Sequence, residues 1–460
     1  MTSAAAAHSP AGSGDPKAEP QAVRRAVMAS TMGNAVEWFD YGVFTSGAIT
    51  GIIGTAFFPG DSNAVLKSLA LVAIGFIVRP FGGAFFGPLG DKIGRKPVLA
   101  LTILLMSTCT FLVGVLPTYA AIGIAAPLLL LLLRLIQGFS TGGEYGGAAT
   151  FIAEYAPTKK RGFYGSFLEV GTLTGYVLGN GTVLTVSLLA GTEAMHDWAW
   201  RIPFIMALPL GIVGLYLRSK LEDPPAFRHL EETGQKPDKV PLKETLVGHW
   251  PMILNLIGIV ILLNVADYML LTTMPSYFTS HLDIGANTST MIIIGVELAQ
   301  LCVLVPLGML SDRVGRKPLL LAAAIGFLLL SYPAIRLMQT GSLGTLIIGF
   351  GMVAFLLALI LAVIGSTFPA MFPTRVRYGS FAIGYNVSTA LFGGTAGVIV
   401  EALINKTGDK NWPAYYLMGA AAIAIVPILR TPETAQVPIE VIDEETDTHE
   451  EALTAPGARG

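Results

Sequence analysis

Twelve mainly apolar stretches, most of about 20 residues or more, run through this chain, and they decide what it can fold into. At about 1.5 Å of rise per residue, a helix of that length crosses a hydrocarbon layer of about 30 Å. Inside such a layer the backbone must satisfy its own hydrogen bonds, so segments of this length are helices. Six runs fall near residues 29–57, 65–88, 98–116, 124–153, 163–189 and 202–218, here spans 1–6. Spans 7–12 fall near 251–279, 289–310, 318–338, 343–371, 378–404 and 414–429. With 53% of residues hydrophobic and 13% charged, an all-α integral membrane protein is predicted, with twelve transmembrane helices in two six-helix halves.

The halves carry an internal repeat. Residues 87–99 read GPLGDKIGRKPVL and residues 308–320 read GMLSDRVGRKPLL, identical at eight of thirteen positions with an offset of 221. A second pair, APTKKRGFYGSF at 156–167 and FPTRVRYGSF at 372–381, repeats at offsets of 216 and 214. Such duplication with pseudo-symmetric halves is the architecture of secondary transporters that rock about a central site.

The basic residues set an expected orientation. Arg24 and Arg25, Lys92/Arg95/Lys96, Lys159/Lys160/Arg161, Arg313/Arg316/Lys317 and Arg375/Arg377 fall in one set of connectors, and few basic residues fall in the other. By the positive-inside rule the termini and the repeated connector face the cytoplasm. The expected division is a disordered tail at 1–25, a first half at 26–220 and a polar central loop at 221–249. A second half at 250–430 and a solvated acidic tail at 431–460 follow. The tail shows no apolar heptad, and residues 2–20 lack the apolar region of a cleavable signal. A net charge of −2 with scattered basic residues gives no nucleic-acid footprint. The expected partners are the lipid bilayer, a small-molecule substrate and protons, with no obligatory protein partner.

Acids inside the spans carry the candidate chemistry. Glu37, Asp40, Glu144, Glu169, Asp267, Glu297 and Glu401 would together cost about 20 kcal/mol if each faced lipid, so most must face protein or a cavity. Counting rise from the entry points puts Glu37 and Asp40 of span 1 about 17 and 21 Å deep, one turn apart, beside Arg134 of span 4. An acid there is neutralised by burial and charged again by the arginine, so its proton can follow occupancy of the arginine by substrate. The alternative is a permanent ion pair tying spans 1 and 4. Arg79, Glu144 and Glu169 are expected as a second group about 10 Å from the cytoplasmic face, either a gating network or a proton path. Asn264, Asp267 and Glu297 are expected to form the opposite wall or outer gate, and Glu401 to snorkel to water. Trp38, Phe39, Tyr41, Tyr145, Tyr268 and Tyr385 are candidates for an aromatic box around a quaternary ammonium, or simply helix packing.

In the repeated connectors, Asp91 with Arg95 and Lys96, and Asp312 with Arg316 and Lys317, are suited to cap helix ends and to pair across the cytoplasmic face. They are expected to act as a conformational switch. No GxxxxGK[ST] occurs, so transport is expected to be driven by a gradient or a partner, a proton gradient being the expected driving force, with no cofactor and no metal.

The doubled GxLxDxxGRKPxL and RLIQGFSTGGEYGGAATFIAEYAP resemble the major facilitator superfamily. The opening GNAVEWFDYGVF and WAWRIPF before span 6 are similar to its metabolite:proton symporter family. DYMLLTTMPSYF, PAMFPTRVRYGSF and PAYYLMG look most like its proline/glycine betaine osmoprotectant transporters. The resemblance implies the major facilitator fold and proton symport of zwitterionic osmolytes under osmotic stress, with Glu37, Trp38, Phe39 and Asp40 in the pathway. It does not carry over the C-terminal coiled coil of osmosensory members, because the acidic tail is expected to be solvated and shows no apolar heptad. The alternatives are a proton symporter of an organic acid (dicarboxylate, alpha-ketoglutarate, citrate or shikimate type) and a non-transporting sensor. An anionic substrate should want more than one buried cation, and this core offers chiefly Arg134 and Arg79 against six or seven acids, a balance that favours a zwitterion or cation.

Overall fold

The computed structural model describes residues 20–61, 63–93, 95–219, 248–373 and 377–437. Most of the expected central loop, the side chains of Asp91, Arg95 and Lys96, and the acidic stretch after residue 437 lie outside the described residues. Among the described residues, nine helical stretches are long and apolar enough to cross a membrane. Three shorter apolar helices, Gly47–Phe57, Ala100–Val115 and Arg201–Tyr216, belong to spans 1, 3 and 6. The expected twelve spans are present.

Several spans are not simple rods. Span 1 consists of Pro20–Thr45 and Gly47–Phe57, broken at Ser46, whose ψ of 132° leaves the helical region. Span 4, expected as one helix, divides into Ala125–Thr141 and Glu144–Tyr155 around Gly142 and Gly143. Spans 7 and 11 contain π-helical turns at Met269–Thr273 and Thr389–Gly393. Such turns re-aim side chains within a helix, and both lie beside the central polar residues described below.

Small residues bring the helix backbones together. A Cβ on Gly138 or Gly142 of span 4 would overlap the carbonyls of Gly75 and Arg79 in span 2. Span 5 (Arg161–Ala194) presents Gly171, Gly175 and Gly179 to the carbonyls of Thr31, Ala35 and Phe39 in span 1. Between apolar helices in lipid there is no hydrophobic drive to associate, so this close fit supplies the attraction. Spans 1, 2, 4 and 5 are thereby locked around their inward-facing polar side chains.

The halves touch at both ends. At the end bearing the repeated connectors, span 8 (Ala286–Val314) places Asp312 on the first turn of span 5. Arg377 of span 11 lies 3.7 Å from Glu154 of span 4, and the backbones of Gly165 and Gly365 meet. At the opposite end Thr45 donates to the Leu271 carbonyl at 3.5 Å, Gly47 packs on the Pro275 carbonyl, and Ser187 donates to Asn287 at 3.0 Å. Polar residues between these closures are sealed from both faces.

The stretch just after span 12 (Trp412–Arg430) corrects the expectation of a solvated tail from residue 431. Thr431 and Thr434 are buried, and Arg316 donates to the Thr434 carbonyl and hydroxyl, both at 2.9 Å. The Glu433 carboxylate accepts the backbone N–H groups of Arg316 and Lys317 at 3.0–3.1 Å, capping the start of span 9 (Lys317–Met338). A negative charge at a helix N-terminus is favourable there, which explains why this part of the acidic segment docks.

Candidate functional site: a buried polar layer between the halves

Span 1 supplies two buried acids, and each takes its own arginine. Asp40 Oδ2 lies 2.7 Å from Arg134 Nη1, and Gln137, one turn further along span 4, donates to Asp40 Oδ1 at 3.2 Å. Gln137 also donates to Thr110 of span 3 at 2.8 Å. Glu37 was expected to share Arg134; instead Arg79 of span 2 donates to Glu37 Oε1 at 3.0 Å and to Tyr41 Oη at 2.9 Å. The expected grouping of Arg79 with Glu144 and Glu169 is thereby corrected. Counting rise gives depth but not azimuth, and the Gly142–Arg79 backbone contact turns Arg79 toward span 1.

Both guanidinium groups lie against rings. The Arg134 guanidinium carbon is 3.5 Å from the Phe44 ring centroid, and that of Arg79 is 4.4 Å from Phe76 and 5.4 Å from Tyr41. Arg134 Nε and Nη2 are buried without a hydrogen-bond partner among the described residues. Two unused donors on a paired arginine are what an incoming carboxylate requires.

Around Glu37 and Arg79 stand Trp38, Tyr41, Phe76, Tyr176 and Tyr268. Trp38 lies 5.2 Å from Tyr41, 5.6 Å from Tyr176 and 6.1 Å from Tyr268 between ring centroids, and Phe76 lies 4.6 Å from Tyr268. Of the predicted aromatic set, Trp38, Tyr41 and Tyr268 meet here. Phe39 is buried in the same apolar cluster, and no ring stacks on it among the described residues. Tyr145 and Tyr385 stack on one another at 4.3 Å in a separate pair nearer the connector end, where Tyr145 donates to Glu169 at 2.6 Å. Glu144 accepts from Thr102 of span 3 at 3.4 Å.

The second half contributes Asn264, which exchanges hydrogen bonds with Ser388 and Thr389 of span 11, and the acids Asp267 and Glu297. Glu297 sits on the inner face of span 8, buried like Glu37 and Asp40. Glu401 does not snorkel: it pairs with His281 at 2.9 Å and accepts from Asn405, because the end of span 7 lies within reach.

At the connector end the Asp312 carboxylate accepts the N–H groups of Gly162 at 2.7 Å and Phe163 at 2.9 Å. Arg316 reaches the Ser366 carbonyl at 2.9 Å, and Lys317 reaches the Leu429 carbonyl at 2.6 Å. Burial, and then the neighbouring Arg161, pull the Arg316 guanidinium down to about 10, so it stays charged at neutral pH. Asp312 thus bridges the halves, whereas Arg316 and Lys317 tie the second half to its own C-terminal segment.

The residue patterns singled out neither Gln137, Phe76 nor Tyr176. Gln137 lies three residues from Arg134 and Phe76 three from Arg79, the spacing of one helix face, and that signal could have found them.

A family model described as "Sugar (and other) transporter" matches residues 25–244, and one described as "Major Facilitator Superfamily" matches 256–448. The proline/betaine transporter of Salmonella typhimurium is 44% identical, over 91% of this chain and 85% of its own length. The glycine betaine/proline/ectoine/pipecolic acid transporter OusA of Dickeya dadantii is 43% identical, with the same coverage. The ectoine/proline transporter of Corynebacterium glutamicum is 39% identical, over 91% of this chain and 86% of its own. Among solved structures, the proton:xylose symporter XylE bound to 6-bromo-6-deoxy-D-glucose superposes with a TM-score of 0.74 at 16% identity. That match covers 93% of this chain and 100% of XylE, a likeness of fold.

Proposed function

The chain belongs to the major facilitator superfamily, and from that premise we propose that this multi-pass membrane transporter carries proline, glycine betaine or a related zwitterionic osmolyte inward together with a proton. The names of the similar transporters from Salmonella, Dickeya and Corynebacterium support the substrate class. The observation that carries the coupling is the buried Asp40–Arg134 pair, with two arginine nitrogens unused. In this reading the substrate carboxylate approaches Arg134 and competes with Asp40 for it. Asp40, losing its counter-charge while still buried, takes up a proton. Return of Arg134 to Asp40 after substrate release expels that proton. Glu37 and Arg79 repeat the same relation one turn away, with Glu144 and Glu169 on the route toward the connector end.

Movement follows an alternating-access scheme. The closures at the two ends cannot both persist while substrate enters or leaves, so one opens at a time. Asp312, with Arg316 and Lys317 and their counterparts Asp91, Arg95 and Lys96, acts as the switch at the connector end. That end faces the cytoplasm of a bacterial inner membrane, as do both termini. The proton gradient drives the cycle without a cofactor.

Vesicles reconstituted with the purified protein test this reading. An imposed inward proton gradient should drive accumulation of labelled proline or glycine betaine, and a protonophore should abolish it. Accumulation of a dicarboxylate or shikimate instead would overturn the substrate class.

A further inference from the structure

The core charges do not balance. Glu37 and Asp40 each have an arginine within 3.0 Å, but Asp267 and Glu297 have no cation at ion-pair distance among the described residues. Both Glu297 oxygens and Asp267 Oδ1 are buried with no hydrogen-bond donor, in residues only 2% and 6% exposed. The two acids are near enough for each to act on Tyr176, and Asp267 acts on Glu297, with Glu169 and Arg79 the other charges reaching Asp267. Burying bare carboxylates costs several kcal/mol each, so each must be neutralised, by a proton of its own or by a cation that takes its place. Rings also line this region: Trp38 and Tyr176 lie 5.6 Å apart and Trp38 and Tyr268 6.1 Å apart, and Trp38 Nε1 and Tyr268 Oη lack partners.

We infer that Asp267 and Glu297, backed by Trp38, Tyr176 and Tyr268, form the subsite for the cationic nitrogen of the zwitterion. The inference rests on the substrate class proposed above and adds which groups read its positive end. A quaternary ammonium has charge but no N–H, so it suits acids without fixed geometry and ring faces without donors. A secondary ammonium can additionally donate to the unpartnered oxygens. The second half supplies acids and the first half arginines, so the zwitterion lies across the interface with its carboxylate toward Arg134 and its nitrogen toward Glu297. Binding then draws the halves together.

The test compares glycine betaine with 3,3-dimethylbutanoate, in which carbon replaces the nitrogen, in binding titrations of the full chain in lipid nanodiscs. The wild type should prefer betaine strongly. Glu297→Gln should weaken betaine binding by about thirtyfold or more while leaving binding of the carbon isostere unchanged, and Glu297→Asp should keep the preference. The inference is overturned if Glu297→Gln retains the preference, including the case in which only gradient-driven accumulation is lost, which would make Glu297 a proton carrier. Should Glu297→Gln not fold, Asp267→Asn is read by the same criteria. A wild type that binds neither compound overturns the substrate reading itself, and that failure is visible before any variant is made.

Discussion

Asp312 of span 8 caps a helix in the other half of the molecule: its carboxylate accepts the Gly162 and Phe163 amides at 2.7 and 2.9 Å. A capped N-terminus and a charge at its positive pole are together worth about 1–2 kcal/mol, and here that stabilisation belongs to the closed connector end rather than to either half alone. Asp312→Asn keeps the shape and removes the charge. Hydrogen exchange over residues 161–167 should quicken by about tenfold, the factor that corresponds to about 1.4 kcal/mol. Unchanged exchange would show that the cap contributes nothing to closure.

The Asp40–Arg134 pair predicts a thermodynamic cycle as well as a transport defect. Asp40→Asn leaves a buried guanidinium without its counter-ion, a loss of about 3–5 kcal/mol, and gradient-driven accumulation should disappear. Combining it with Arg134→Gln removes both charges. The double variant should therefore melt well above the sum of the two single losses while remaining unable to accumulate substrate. Additive melting shifts would mean that the two residues are not energetically coupled.

Arg79 tests whether charge alone suffices. It donates to Glu37 and Tyr41 through one nitrogen while its guanidinium carbon lies 4.4 Å from the Phe76 ring centroid, a combination a lysine ammonium cannot reproduce. Arg79→Lys should reduce transport by at least about tenfold and lower the melting temperature, though the formal charge is kept. Wild-type turnover in that variant would reduce Arg79 to a point charge.

What the sequence revealed and what it hid divide along a physical line. Twelve apolar runs, the doubled connector and the common level of Asp40 and Arg134 along the helices were legible because hydropathy and rise per residue are one-dimensional quantities. The partner of Arg79 was not, because it depends on helix rotation, which is set by the fit of Gly142 against Arg79 and of Gly175 against Ala35. Docking of Glu433 onto the start of span 9 was hidden for a related reason: a charged segment reads as solvated until a helix N-terminus is known to lie beside it. The breaks at Ser46 and at Gly142–Gly143 fall inside apolar runs that hydropathy alone treats as continuous.

That dependence of the site on glycine packing yields the most direct structural prediction. Any Cβ on Gly142 would overlap the Arg79 carbonyl and the Gly83 amide, both backbone atoms that cannot rotate away. Gly142→Ala must therefore push spans 2 and 4 apart, withdrawing Arg79 from Glu37 and disturbing Arg134 on the same helix pair. The expected loss is about 1–3 kcal/mol of stability, together with loss of transport. Gly181→Ala on span 5 is the matched control: a Cβ there meets nothing within 4 Å, and its melting temperature and uptake should equal those of the wild type. Melting curves of the two variants in one detergent decide the matter. If Gly142→Ala melts with Gly181→Ala, the close approach of spans 2 and 4 does not hold the polar layer in register.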